Sequence, residues 1–191
     1  MLAALVFYTL TFGFGEEACW RGFALPRLQT NHGALTATLW LTLGWALWHS
    51  PAFLYRPGYT TLDAGGVAGW GFSLLAGSIL LTWMFNSTGG SILIVALCHG
   101  ALEIAYMSKA AQGPAVLVMS VLVMAWAALV LVLAGPAKLS RTGKVVASPP
   151  STTAVPAPTA SSPTPSAAAL GSRGSEAPPT TPAPAPGAGR R

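Results

Sequence analysis

The chain has 191 residues, 52% hydrophobic and only 8% charged, with a mean hydropathy of +0.56, whereas soluble globular chains carry about 25% charged residues. The last stretch of about fifty residues is polar and low in complexity, so the preceding part of about 140 residues has the composition of a membrane protein. The formal charge of +5 marks no nucleic-acid partner, because the basic residues are scattered between apolar segments or gathered in the tail and make no phosphate-binding face.

Five apolar segments follow one another, at about 1–23, 33–55, 66–85, 90–107 and 114–134. The second, third and fifth approach or exceed the ~20 residues that a helix needs to cross the hydrocarbon. The fourth is shorter, and Glu16 and Glu17 interrupt the first. Continuous apolar runs, rather than strands of alternating polarity, exclude a barrel. The expected fold is therefore all-α, a polytopic transmembrane bundle of about five helices followed by a disordered C-terminal tail. Breaker-rich loops separate the segments: a polar stretch at 27–32, Arg56-Pro57-Gly58, the run Asn86-Ser87-Thr88-Gly89-Gly90, and Gln112-Gly113-Pro114.

The membrane domain is expected over 1–139 and the tail over 140–191. From about Ser148 the tail is almost entirely Pro, Ala, Ser, Thr and Gly, which bury too little apolar area to offset the entropy of ordering them. The N-terminus has no basic region and no small-residue cleavage site, so it reads as a start inside a transmembrane helix, as a truncated chain would, rather than as a removable signal peptide. Arg27, Lys138, Arg141 and Lys144 lie on the side of the first loop and the tail, against Arg56 and Lys109 on the other. That bias places the tail in the cytoplasm, and the Ala/Gly/Pro-rich style, with Arg over Lys, points to a bacterial plasma membrane. Cys19 and Cys98 lie in apolar segments and give neither a disulfide framework nor a CxxC metal pattern, so they read as packing residues.

Only Glu16, Glu17, Arg21 and Glu103 are charged within the apolar segments, joined there by His49 and His99. Ionisable groups at membrane depth cost several kcal/mol on insertion scales and are functional candidates by default. Glu17 and Arg21 are four apart, share a helix face and are expected to form a structural ion pair. Glu16 points about 100° away from Glu17 and has no local cation. An unpaired carboxylate in a dry cavity suits a general base working near neutral pH. His49 ends the second segment, where a lone histidine is more often interfacial than catalytic. His99 and Glu103 are four apart on one face. They either orient a buried imidazole or look into the same cavity as Glu16 and His49.

These residues resemble a known pattern: Glu-Glu-x-x-x-Arg, then aromatic-x-x-x-His, then His-x-x-x-Asn/Asp on successive transmembrane helices. It marks the CPBP family, which holds the type II CAAX prenyl endopeptidases and the bacterial Abi proteins. Glu16, Glu17 and Arg21 match the first motif, and the continuation from Trp20 to Gln29 resembles the bacterial branch closely. Trp45 to His49 matches the second motif, with Trp in place of the commoner Phe. The run from Met84 to Ser91 is similar to the family's linker before its last motif helix. His99 matches the third motif, but Glu103 stands where the family has Asn or Asp.

The resemblance spans about Phe14 to Glu103 and implies an intramembrane endopeptidase of the CAAX type. The position of Glu16 would activate a water with help from that of His49, those of His99 and Glu103 would surround the oxyanion, and Glu17 and Arg21 would hold the first helix. A zinc ion on Glu16, His49 and His99 and a metal-free glutamate mechanism are equally writable, since HExxH is absent. An ionised glutamate only accepts hydrogen bonds, so Glu103 must be protonated, bind a metal, or leave the oxyanion to His99, unless the protein no longer cuts. The expected partners are the lipid bilayer and a membrane-associated or bacteriocin-like peptide, a better fit to a prokaryote than a prenylated CAAX protein. The competing reading is a non-catalytic scaffold or bacteriocin immunity protein that keeps the fold. A small transporter is disfavoured because the segments show no inverted repeat.

Overall fold

The computed structural model describes residues 2–107 and 113–148, and in these it is all-helical. Lys109, used above for topology, and the low-complexity tail from residue 149 lie outside the described residues. We number six helices. α1 spans residues 2–31, α2 Ala34–His49, α3 the single turn Ala52–Tyr55, α4 Ala64–Ser87, α5 Ile92–Met107 and α6 Pro114–Ala134. By length and composition α4 and α6 can each cross a membrane, and α5 is a shorter apolar helix.

Two of these bounds differ from the sequence expectation. The polar stretch at 27–32 is not a loop, because α1 continues to Asn31. Pro26 lies inside this helix and cannot donate to the preceding turn. The chain widens there into the π-helical segment Trp20–Ala24, in which Leu25 N–H reaches back five residues to the carbonyl of Trp20. A second π segment, Thr9–Phe14, precedes the glutamates, so Gly15–Cys19 is a short α stretch between two wide turns. The second apolar segment does not run unbroken to Tyr55 either. It stops at His49, where Ser50-Pro51 starts the separate turn α3.

α1 and α5 cross antiparallel and very closely. A Cβ on Gly13 would collide with the carbonyl of Ala96, and one on Gly100 would stand 2.6 Å from Thr9 Oγ1 and 2.8 Å from its Cα. Small residues that let backbones meet are the usual means of joining helices in lipid, where apolar surface alone drives little association. This crossing brings α5 against the glutamate-bearing turn. On the other side of the bundle, Ala34, Ala76, Ile79, Leu80, Ala127, Val130 and Leu139 join α2, α4 and α6. Large side chains such as Leu117, Leu122 and Val132 on α6 face outward, as a lipid-facing surface requires.

Residues 140–148 lie against one end of the bundle, where Lys144 Nζ donates to the carbonyl of His32 and Ala147 N–H to that of Pro26. Gln29 and Asn86, both buried, exchange hydrogen bonds at 3.0 and 2.8 Å. The remaining capacity of their amides is spent on Lys138 O, Val145 O and Val145 N–H. The free amides of Ala34 and Leu35 at the start of α2 donate to the carbonyls of Ala137 and Pro136. The ends of α1 and α6 and the start of α2 are thereby tied together at one end of the bundle, opposite the end that carries Arg56.

Candidate active site

The short turn Gly15–Cys19 sets Glu16 and Glu17 on different faces, and each meets a different partner. Glu17 is fully buried, and its Oε1 accepts from Arg21 Nη1 at 2.8 Å. The same oxygen accepts from His99 Nδ1 at 2.8 Å. Arg21, also fully buried, donates from Nη2 to Ser78 Oγ at 3.0 Å and lies 4.8 Å over the ring of Trp45. One carboxylate thus links α1 to α5, and through Arg21 to α4. Glu17 Oε2 and Arg21 Nε have no hydrogen-bond partner among the described residues.

Glu16 is half-buried and faces α2, where Trp45 Nε1–H donates to its Oε2 at 2.7 Å. That bond fixes one carboxylate oxygen and leaves the other for a ligand or water. Trp45 is the pivot of the site. Its ring stands edge-on to His49 at 5.6 Å and to His99 at 5.5 Å. The carbonyl of Trp45 also lies 2.8 Å from His49 Nδ1. A carbonyl only accepts, so Nδ1 of His49 carries the proton and Nε2 is left as the free nitrogen. The same reasoning puts a proton on His99 Nδ1, against the Glu17 carboxylate, and leaves its Nε2 free.

Glu103 Oε1 stands 4.0 Å from that Nε2, too far for a hydrogen bond, and a quarter of its side chain is exposed. The four residues expected at one cavity, Glu16, His49, His99 and Glu103, are therefore brought into one neighbourhood. The expected zinc set fares differently. Among the described residues no three His, Cys, Asp or Glu side chains are placed to hold one metal ion, although each histidine keeps Nε2 free while a carbonyl or a carboxylate holds its Nδ1, the orientation usual for a metal-ligating imidazole.

Several contributors were not singled out from sequence. Trp45 entered only as the aromatic member of a motif, although its spacing four before His49 already puts both on one face. Ser78 carries no local signal, since it is one of many small polar residues in α4. Trp70, 6.0 Å from His49, and Phe53 and Tyr59 packed on it form an aromatic wall beside the site. A cavity of about 470 Å³ between α4 and α6, lined by Trp83, Trp126, Leu129 and Arg141 among others, contains none of the carboxylates or histidines.

The family model described as type II CAAX prenyl endopeptidase Rce1-like matches residues 1–105. The chain is also similar to CAAX prenyl protease 2 of Methanococcus maripaludis, with 28% identity over 88 residues, 44% of this chain and 32% of that protein. It thus spans about a third of the length of this curated relative. No solved structure gives a significant match.

Proposed function

The chain belongs to the Rce1-like family of type II CAAX prenyl endopeptidases, and from that premise we propose that it hydrolyses a peptide bond within the membrane. The observation that carries this reading is the Glu16 carboxylate. One of its oxygens is held at 2.7 Å by Trp45, whose ring also stands edge-on to His49 and His99, and the other is available to a water.

In the proposed reaction Glu16 takes a proton from water as the oxygen adds to the scissile carbonyl carbon. His49, oriented through Nδ1 on the Trp45 carbonyl, holds that water with Nε2. His99, in its protonated form, offers Nε2–H to the oxyanion, and Glu17 holds the ring in place through Nδ1. The intermediate then collapses as Glu16 passes its proton to the amide nitrogen. The C–N bond breaks and leaves a new carboxylate and a new amine. Glu103 does not act as donor in this scheme. The substrate is a membrane-associated peptide met within the bilayer, and no nucleic acid takes part. The end of the bundle bearing Arg27, Lys138, Arg141 and Lys144 faces the cytoplasm.

A second reading, a scaffold or immunity protein that retains the fold, is favoured by one feature, Glu103 in the place of Asn or Asp. Glu16→Gln separates the two. For a protease, cleavage of a membrane-presented peptide is lost while thermal unfolding in detergent is unchanged. A scaffold keeps its cellular phenotype in the same variant, and that outcome would rule out the protease.

A further inference from the structure

The cavity between α4 and α6 has walls of one chemistry and a mouth of another. Trp126, Leu129, Val130 and Leu133 recur at helical spacing along one side of α6. Trp83 of α4 closes the opposite side, its ring 6.2 Å from that of Trp126. From Trp126 to Ala134 the groove runs about 12 Å along α6, close to the depth of one leaflet, roughly 15 Å or half of the hydrocarbon core. At the end of both helices the lining turns polar, with Ser87, Arg141 and Thr142.

Arg141 is held at this mouth by a built turn. Leu139 is fully buried in the cluster that joins α2, α4 and α6. Its φ of +44°, in a region that L side chains rarely enter, turns the chain at that point. Ser140 is buried too, and its Oγ accepts from the N–H groups of Thr142 and Gly143 at 3.0 and 3.1 Å. Between these anchors Arg141 is exposed, and its guanidinium makes no ion pair or hydrogen bond among the described residues. The described carboxylates all lie elsewhere. Glu16, Glu17 and Glu103 belong to the site, and Asp63 accepts from Gly66 N–H at the opposite end of α4. Arg27, Lys138 and Lys144 share the end that carries Arg141, so the mouth opens in positive surroundings.

We propose that this groove binds one anionic glycerophospholipid, with its phosphate on Arg141 and an acyl chain between Trp83 and Trp126. The guanidinium fork meets a phosphate two bonds at a time, and the Ser87 hydroxyl adds a donor beside it. Basic pockets between transmembrane helices hold acidic headgroups elsewhere by the same combination of charge and apolar wall. An arginine that only snorkelled to the interface would need no walled groove beneath it. Lipid binding here does not depend on cleavage, since the groove holds none of the carboxylates or histidines of the site.

The test is native mass spectrometry of the full chain in non-ionic detergent, with dioleoyl phosphatidylglycerol and dioleoyl phosphatidylcholine offered at equal concentration. One phosphatidylglycerol per chain should be retained about tenfold more strongly than phosphatidylcholine. Arg141→Gln should make retention of the two lipids equal, and Ala134→Phe, which fills the groove, should lower both. Lys138→Gln, at the same end but outside the lining, should leave the preference intact. Unchanged helical circular dichroism in each variant separates loss of the site from loss of the fold, and the exposed Arg141 decides the matter if Ala134→Phe unfolds. Equal retention of both lipids by the native chain would overturn the proposal, as would a preference that survives Arg141→Gln. A loss in Lys138→Gln as large as in Arg141→Gln would do the same, since the attraction would then belong to the whole basic end. Displacement of the lipid by millimolar inorganic phosphate would reduce the groove to a phosphate site and overturn the assignment to a lipid.

Discussion

His99 and Glu17 meet at 2.8 Å, Nδ1 to Oε1, on the very oxygen that also accepts from Arg21. The pair Glu17–Arg21 is thus not a self-contained brace within one helix. It reaches across to α5 and fixes the ring of a residue assigned to the chemistry. The dominant cost in such a cluster is desolvation of the buried charges, and it is offset only while every partner is present.

Removing one charge should therefore do more harm than removing both. Glu17→Gln leaves the Arg21 guanidinium buried without a counter-charge and is expected to cost about 3–5 kcal/mol of stability. Adding Arg21→Met removes the stranded charge, and the double variant should regain a large part of that loss. Denaturant unfolding in detergent micelles measures both. The double variant should still be slow in cleavage, because His99 has lost the acceptor that orients it. A double variant as unstable as Glu17→Gln alone would show that the pair is not the seat of the cost.

The α1–α5 crossing makes a second, purely steric forecast. Valine at Gly13 would place its Cβ against the carbonyl of Ala96, and valine at Gly100 would press on the backbone of Thr9. Either must part the helices and draw His99 away from Glu17, so stability and cleavage should fall together. The loss in stability is expected to be at least the 1–3 kcal/mol typical of overpacking. Gly77 in α4 is the control, since a Cβ there meets nothing within 4 Å. Gly77→Ala should leave cleavage unchanged and raise stability by about 0.5–1 kcal/mol. The melting temperatures of the three variants decide the matter.

The apolar runs made the helices legible, and helical spacing alone paired Glu17 with Arg21 and put His99 and Glu103 on one face. What the sequence did not reveal depends on contacts between distant segments. Nothing local says that Glu17 rather than Glu16 meets His99, because that choice rests on Gly13 and Gly100 letting α1 and α5 touch. The polar stretch at 27–32 looked like a loop because Gln29 is polar. It is helical because Asn86, 57 residues away, satisfies the Gln29 amide inside the bundle. The end of α2 differs from the apolar run for another reason. Length and apolarity carried the segment to Tyr55, whereas Ser50-Pro51 breaks the backbone at His49 and turns Arg56 toward α5.

Glu103 offers the sharpest test of the chemistry. Its oxygen stands 4.0 Å from His99 Nε2, and as a carboxylate it brings negative charge beside the place where the oxyanion would form. Asparagine at this position would remove that charge and supply an N–H donor. Losing one donor from an oxyanion site costs about a hundredfold or more in rate where it has been measured, so gaining one here should raise kcat by about tenfold. KM should change little, because the interaction strengthens only as charge develops on the oxygen. Glu103→Gln is the companion variant. It also removes the charge but carries its amide one methylene further out, so its gain should be smaller. Single-turnover cleavage of one membrane-presented peptide by the native chain and both variants measures the effect. Complete loss of cleavage in both variants would place an essential carboxyl group at Glu103 and transfer to it a role here given to His99.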